Sequence, residues 1–223
     1  MDERDSLPQS VEPELEALRN AGYSVELTND HDVVVEAVIR KGDEETRIQW
    51  FDDVETSRRF FPAQDDPQFG FRLHDADLAV NKVLCAARRN SAARDAVDLV
   101  NIVERYAPLG PIVWAVSGNA PEMAPPSTLR AIRANAFGYA AEEVGTVRME
   151  DGSRMEWRHL RQILDQALEV ASDYCARTAP AEHPGRLFVD ARARPVEADE
   201  VAVGDGTAIA MTIRGFSSIP VFG

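Results

Sequence analysis

Cysteine is scarce in this chain: Cys85 and Cys175 are the only two among 223 residues. A secreted scaffold held by several disulfides is excluded, and reduced thiols are expected, with a single bridge between two helices as the other option. Basic residues are in deficit too. Lys and Arg number 24 against 38 for Asp and Glu, so the formal net charge is −14. Phosphate binding relies on Lys and Arg displacing counterions, which excludes broad non-specific binding to nucleic acid or an anionic membrane; any such contact must be local. Long apolar runs are missing. The longest uncharged stretch, Tyr106 to Pro121, is short and carries Pro and Gly, so no membrane span is expected. The opening residues, MDERDSLPQS, are polar and acidic and do not read as a signal peptide, so a soluble cytoplasmic protein is expected. His31, His74, His159 and His183 show no metal-ligand spacing and read as surface or capping residues. Gly145 and Gly152 are followed by no Gly-Lys-Ser/Thr, so they make no phosphate loop. Ser117-Gly118 lacks the frame of a nucleophile elbow.

What is present is an ordinary globular apolar content of 44%, enough to bury a core. Leu15, Leu18 and Ala21 give one apolar face to a helix over 10–21, and Gly22 suits its end. Tyr23 to Leu27 alternates as a strand, and Asn29 to Asp32 reads as a turn. Val33 to Ile39 is the strongest strand signal, with Thr46 to Phe51 as its antiparallel partner. Phe60-Phe61-Pro62 and Phe69-Gly70-Phe71 read as aromatic anchors on irregular chain. Helices follow over 75–90, 93–106, 112–116 and 129–137, with Gly118 ending the third, Ser127 as N-cap of the last and Trp114 as core packing. Residues 138–157 read as a linker and 158–177 as a long amphipathic helix. Arg154, Arg158 and Arg161 read as a solvated basic face. The tail, 186–190 and 208–213, reads as a peripheral β-hairpin on that helix.

The chemistry concentrates in one helical hairpin. It runs Asp77-Leu-Ala-Val-Asn-Lys82, then Arg88-Arg89, then Arg94-Asp95-Ala-Val-Asp98-Leu99. Lys82 sits among apolar neighbours, so its ammonium needs a partner or a cleft. Asp95 and Asp98 are three apart and share a helix face, in the first turns where the helix dipole favours carboxylates. Two readings stand side by side. Asp95 or Asp98 pairs with Lys82 and fixes the hairpin. Alternatively, Lys82 meets a phosphate while an aspartate orients it. Between residues 78 and 94 the only charges are Lys82, Arg88, Arg89 and Arg94, a local +4 within a chain of −14.

These residues carry a resemblance. Asp-Leu-Ala-Val-Asn-Lys, then Arg-Asp-x-x-Asp-Leu and Pro-Leu-Gly-x-x-x-Trp-Ala, is similar to the nucleotidyltransferase-like AbiEii/AbiGii toxin family. Upstream, Ala-Gly-Tyr-Ser-Val-Glu, Glu-Ala-Val-Ile-Arg, Thr-Arg-Ile-Gln-Trp, Arg-Phe-Phe-Pro and Phe-Gly-Phe-Arg-Leu-His extend it over roughly residues 10 to 137. The resemblance implies a DNA polymerase β-like nucleotidyltransferase fold. It implies that Lys82 binds the triphosphate of an NTP, that Arg88 and Arg94 support phosphate or acceptor contacts, and that Lys82, Asp95 and Asp98 serve catalysis. It further implies Mg²⁺, transfer of a nucleotide to an RNA or protein acceptor, and an opposing antitoxin protein.

The chain departs from the family pattern at the metal site. A Gly-Ser turn and an Asp-x-Asp strand are expected ahead of the helix over 10–21, where this sequence has almost begun; an in-frame continuation upstream of Met1 would supply them. The third carboxylate of that site falls at Gln49, a neutral amide. Asp30-His31-Asp32 could replace the Asp-x-Asp, with Gly22 and Ser24 as its turn and Glu36 on the same strand face, though these residues read first as a turn. The expected architecture is α+β, with a small mixed sheet packed on helices. A nucleotidyltransferase-like domain over 1–137 divides into a sheet part, 1–73, and a helical part, 74–137. A linker, long helix and β-hairpin appendage follow over 138–223. The alternative to an active transferase is a catalytically silent protein of that fold which binds a nucleotide or a partner.

Overall fold

The computed structural model describes residues 6–51, 59–68, 70–88, 91–120, 122–149 and 151–214. The fold is α+β, and the chain forms two compact units, Met1–Ser57 and Arg58–Gly223.

In the first unit, α1 (Leu7–Asn20) is followed by β1 (Ser24–His31), β2 (Val34–Lys41) and β3 (Glu44–Phe51). The helix starts a turn earlier than its apolar spacing predicts. Ser6 is the N-cap, its backbone N–H donates to Gln9 Oε1 at 3.0 Å, and Pro8 lies in the first turn, where no N–H is missed. Gly22 closes the helix at φ +84°, a conformation glycine adopts freely. The sheet order is β1-β2-β3, and both pairings are antiparallel. The mixed sheet expected from sequence is therefore corrected, because strands joined by two-residue turns can pair only head to tail. The turn expected at Asn29–Asp32 lies later. β1 runs on to His31, with its register shifted between Leu27 and Asn29. Alternation separates the two faces of β2. Val35, Ala37 and Ile39 pack against Val11 and Leu15 of α1, while Glu36 and Arg40 face the other way. Arg40 bonds there to Glu26 and Glu45, each at 2.6 Å.

The second unit opens with a short hairpin, β4 (Gln64–Asp66) and β5 (Gly70–Arg72), where irregular chain is expected. Phe69 lies outside the described residues. Then come α2 (Asp75–Ala87), α3 (Ala93–Arg105), α4 (Leu109–Asn119), α5 (Pro125–Ala136), α6 (Ala141–Thr146) and α7 (Trp157–Asp173). A π-helical turn, Tyr174–Thr178, extends α7, and β6 (Leu187–Val189), α8 (Glu200–Gly204) and β7 (Ile209–Met211) complete the unit. No helix among the described residues is long and apolar enough to cross a membrane.

α4 is the centre of this unit. Ile112, Val113, Ala115 and Val116 are all fully buried, as a helix apolar on every side must be. It packs against α2, α5 and α7. Residues on both sides of position 137 contribute to one core, from Phe60 and Val80 to Leu164 and Leu187. Val144 of α6 is fully buried as well, so the stretch expected as a linker carries a core residue. Gly118 lies inside α4 instead of ending it. A Cβ there would stand 2.3 Å from the Gly185 carbonyl oxygen, so this glycine lets the 180–186 loop lie directly on the helix. The tail is less peripheral than expected. Leu187, Phe188 and Val189 are buried, β6 packs on α4 and pairs with β7, and Trp114 Nε1–H donates to the His183 carbonyl at 2.9 Å.

Both cysteines are free. The Cys175 thiol donates to the Gly110 carbonyl at 3.7 Å, and burial pushes it up to about 12. Cys85 is exposed on α2. Iodoacetamide at mildly alkaline pH is therefore expected to modify one thiol of the folded chain, at Cys85. Cys175 should react on the order of a hundredfold more slowly, because the thiolate is the nucleophile. Peptide mapping before and after addition of urea checks this, and equal labelling of both in the native state would contradict it.

Candidate functional site

The α2–α3 hairpin places most of the residues singled out in the sequence. Lys82 Nζ lies 2.7 Å from Asp98 Oδ2, with side-chain exposures of 41% and 35%. The partner of Lys82 is thus Asp98, and the pair stands at the surface with water on one side. Half-exposed pairs of this kind contribute about 0–1 kcal/mol to stability.

Asp95 is placed differently. It is buried at 8% exposure, and its Oδ2 accepts the backbone N–H of Ala92 at 2.7 Å. It closes the first turn of α3, and no contact with Lys82 is formed. The three-residue spacing does put Asp95 and Asp98 on adjoining parts of the helix, but the free N–H groups at the helix start take the nearer carboxylate.

Arg88 caps the C-terminus of α2 and Arg94 lies in the first turn of α3; both are exposed, and neither forms an ion pair with a described carboxylate. Arg89 lies outside the described residues. The loop between the two helices is tied down from α5. Asn135 Nδ2 donates to the carbonyls of Ala86 at 2.9 Å and Arg88 at 2.8 Å. The Ser91 and Tyr139 hydroxyls meet at 2.6 Å. Sequence patterning gives no sign of Asn135, since its partners are backbone atoms 47 and 49 residues away.

Asp77 opens the motif without a role assigned from sequence. It is 3% exposed, and its two oxygens accept the backbone N–H groups of Phe60 (2.7 Å) and Phe61 (3.1 Å). Burial raises its carboxyl above the ordinary range, partly offset by those two bonds. Nearby, His74 caps α2 by accepting from Ala76 N at 3.1 Å and stacks on Phe61 at 3.9 Å between ring centres. This corner fixes how the 59–62 segment meets α2.

The expected metal position is in the first unit. Gln49 pairs across the sheet with Glu36, and its amide donates to Glu36 Oε2. Glu36 also accepts from the Thr28 hydroxyl at 2.9 Å and stands 3.5 Å from Arg47 Nε. The Gln49 amide, followed by Thr28, holds this carboxyl below the usual carboxylate range. Its oxygens are already committed to neutral donors and a guanidinium. Asp30 and Asp32 are exposed at the end of β1 and in the turn after it, while Gly22 and Ser24 close α1 and start β1. Among the described residues no three carboxylate, His or Cys side chains gather as a metal would require. The described residues of this sheet therefore do not fit the Mg²⁺ that the resemblance implies.

The remaining candidates have structural surroundings. His159 Nε2 pairs with Glu104 at 2.8 Å, and Arg161 lies over the Phe137 ring at 5.3 Å. Gly152 makes a turn at φ +79°. The chain matches no protein-family model, no curated protein and no solved structure.

Proposed function

We propose that this chain is a nucleotidyltransferase-like protein of the AbiEii/AbiGii toxin type, whose α2–α3 hairpin receives the triphosphate of an NTP. The observation that carries the reading is the Lys82–Asp98 pair. It holds an ammonium at a fixed, water-accessible place on a hairpin that also carries Arg88 and Arg94 with no described carboxylate partner. Asp98 orients Lys82, and the three cations meet the phosphates. In the active form, an RNA or protein acceptor takes the nucleotide and an antitoxin protein opposes the reaction.

Gln49 and Glu36 favour a second form of this reading, in which the protein binds a nucleotide or a partner without turnover. The resemblance implies a metal-binding carboxylate at position 49, and this chain has there a neutral amide that donates to Glu36. Phosphoryl-type transfer with Mg²⁺ depends on such carboxylates.

Two measurements test the proposal. Lys82→Ala is expected to weaken NTP binding roughly tenfold or more by calorimetry, the size of losing a hydrogen bond to a charged group, while shifting unfolding stability by about 0–1 kcal/mol. Absence of NTP binding by the parent protein would refute it. Incubation with labelled NTP and RNA, with Mg²⁺ or Mn²⁺, then separates the two forms: label transferred to an acceptor supports the active enzyme, and binding without transfer supports the silent one.

A further inference from the structure

A cleft of about 610 Å³ opens in the second unit, away from the hairpin loop, where the end of α3 and the start of α4 face α7. Its volume is in the range that small organic ligands fill. One wall is a single stripe of α7, Ile163, Ala167 and Val170, at the spacing of one helical face. Val103 and Leu109 continue the apolar surface on the other side. Val170 is 48% exposed and Val103 and Ile163 are half-buried, while Ala167 and Leu109 are buried, so the part of this surface open to water centres on Val170. Apolar area of that kind gains free energy from any aliphatic group that covers it.

The rim carries two cations, Arg105 and Arg194, and one acid, Glu104. Arg105 and Arg194 both line the cleft, and neither forms an ion pair with a described carboxylate. Arg194 is held in place. Its Nη2 donates to the Tyr106 carbonyl at 2.6 Å, and its guanidinium lies 5.7 Å from the centre of the Tyr106 ring. A guanidinium has five N–H donors, so most remain for a ligand. The acid that also lines the cleft, Glu104, is bonded to His159 at 2.8 Å. α4 begins at the cleft without a side-chain cap, which adds the positive end of a helix dipole to the same rim. Two guanidinium groups without a direct ion pair to a described carboxylate thus stand beside a partly open aliphatic wall, with Asp190 acting on Arg194 and Asp151 on Arg105 from further away.

We propose that this cleft binds an amphipathic carboxylate, a medium-chain fatty acid, with its alkyl chain along Ile163, Ala167 and Val170 and its carboxylate at Arg194 and Arg105. The carboxylate geometry suits the planar fork of arginine. This site stands apart from the nucleotide reading and does not depend on it.

Calorimetric titration of the full chain with octanoate, decanoate and uncharged octanol tests the proposal. Octanoate is expected to bind more tightly than octanol. Decanoate should bind on the order of tenfold more tightly than octanoate, from two further buried methylenes. Arg194→Gln should lower octanoate affinity roughly tenfold and leave octanol binding unchanged. Val170→Asp, at an exposed position where circular dichroism is expected to show an unchanged fold, should weaken all three. No binding of octanoate or decanoate at millimolar concentration, equal affinity for octanoate and octanol, or indifference of decanoate binding to Val170→Asp would each overturn it.

Discussion

Asp77→Ala is expected to destabilise the second unit by about 2–4 kcal/mol, because it strands two backbone donors that the carboxylate now accepts. Phe60 is fully buried, so its N–H cannot turn to water, and Phe61 is held against His74. Asp77→Asn should cost less, roughly 1–3 kcal/mol, since an amide offers one acceptor oxygen and turns an N–H₂ toward the second donor. Urea unfolding of the three proteins measures both values. The pH dependence has a definite sign. Burial raises the folded-state value of this carboxyl above its unfolded value. Its contribution is then fully present below the unfolded value and is lost as pH rises through the folded one. Asparagine does not titrate, so the stability of the parent over Asp77→Asn should be largest at acid pH and shrink toward neutrality. A margin that widens with rising pH would show that the two N–H bonds outweigh burial.

The second large effect is expected at Gly185. Gly185→Ala should cost about 2–5 kcal/mol. The backbone there has φ +74°, a left-handed conformation that costs an L-residue roughly 1–2 kcal/mol. The new Cβ would also stand 2.7 Å from Gly118 Cα and N, backbone atoms that cannot step aside without moving α4. Overpacking of this kind adds about 1–3 kcal/mol. Gly206→Ala is the matched control. Its φ is +79° and nothing lies within 4 Å of the added Cβ, so it should cost only the conformational part, roughly 1–2 kcal/mol. Thermal and urea unfolding of both variants decide the matter. Equal losses at the two positions would mean that the close approach of Gly118 and Gly185 carries no energy.

Legibility varied with the kind of signal. α3 and α7 follow closely from apolar spacing, because each buries one stripe, Val97 and Val100 in one and Leu160, Leu164 and Leu168 in the other. β2 and β3 follow from alternation on a half-buried sheet. α4 extends beyond its expected span because a helix buried on all sides has no period to read, and the glycine taken as its end serves packing instead. α6 and α8 are too short, at six and five residues, for any period to rise above their composition. β4 and β5, with three residues each, escape for the same reason.

The candidate site shows the same division. Composition and spacing alone determine that Lys82 lies on an amphipathic hairpin beside two aspartates, within a stretch where cations outnumber acids. They determine equally the net charge of −14, which is a sum over residues and needs no coordinates. Tertiary structure decided which aspartate does what. Asp95 is taken by the N–H of Ala92, Asp98 is left for Lys82, and Asp77 is turned inward to Phe60 and Phe61. It likewise decided that Arg194 is brought across 88 residues to Tyr106, at the mouth of the cleft on α7. Helix and strand periods are local and are written in neighbouring residues. A hydrogen bond between distant parts of the chain depends on how the helices pack, and no local pattern records it.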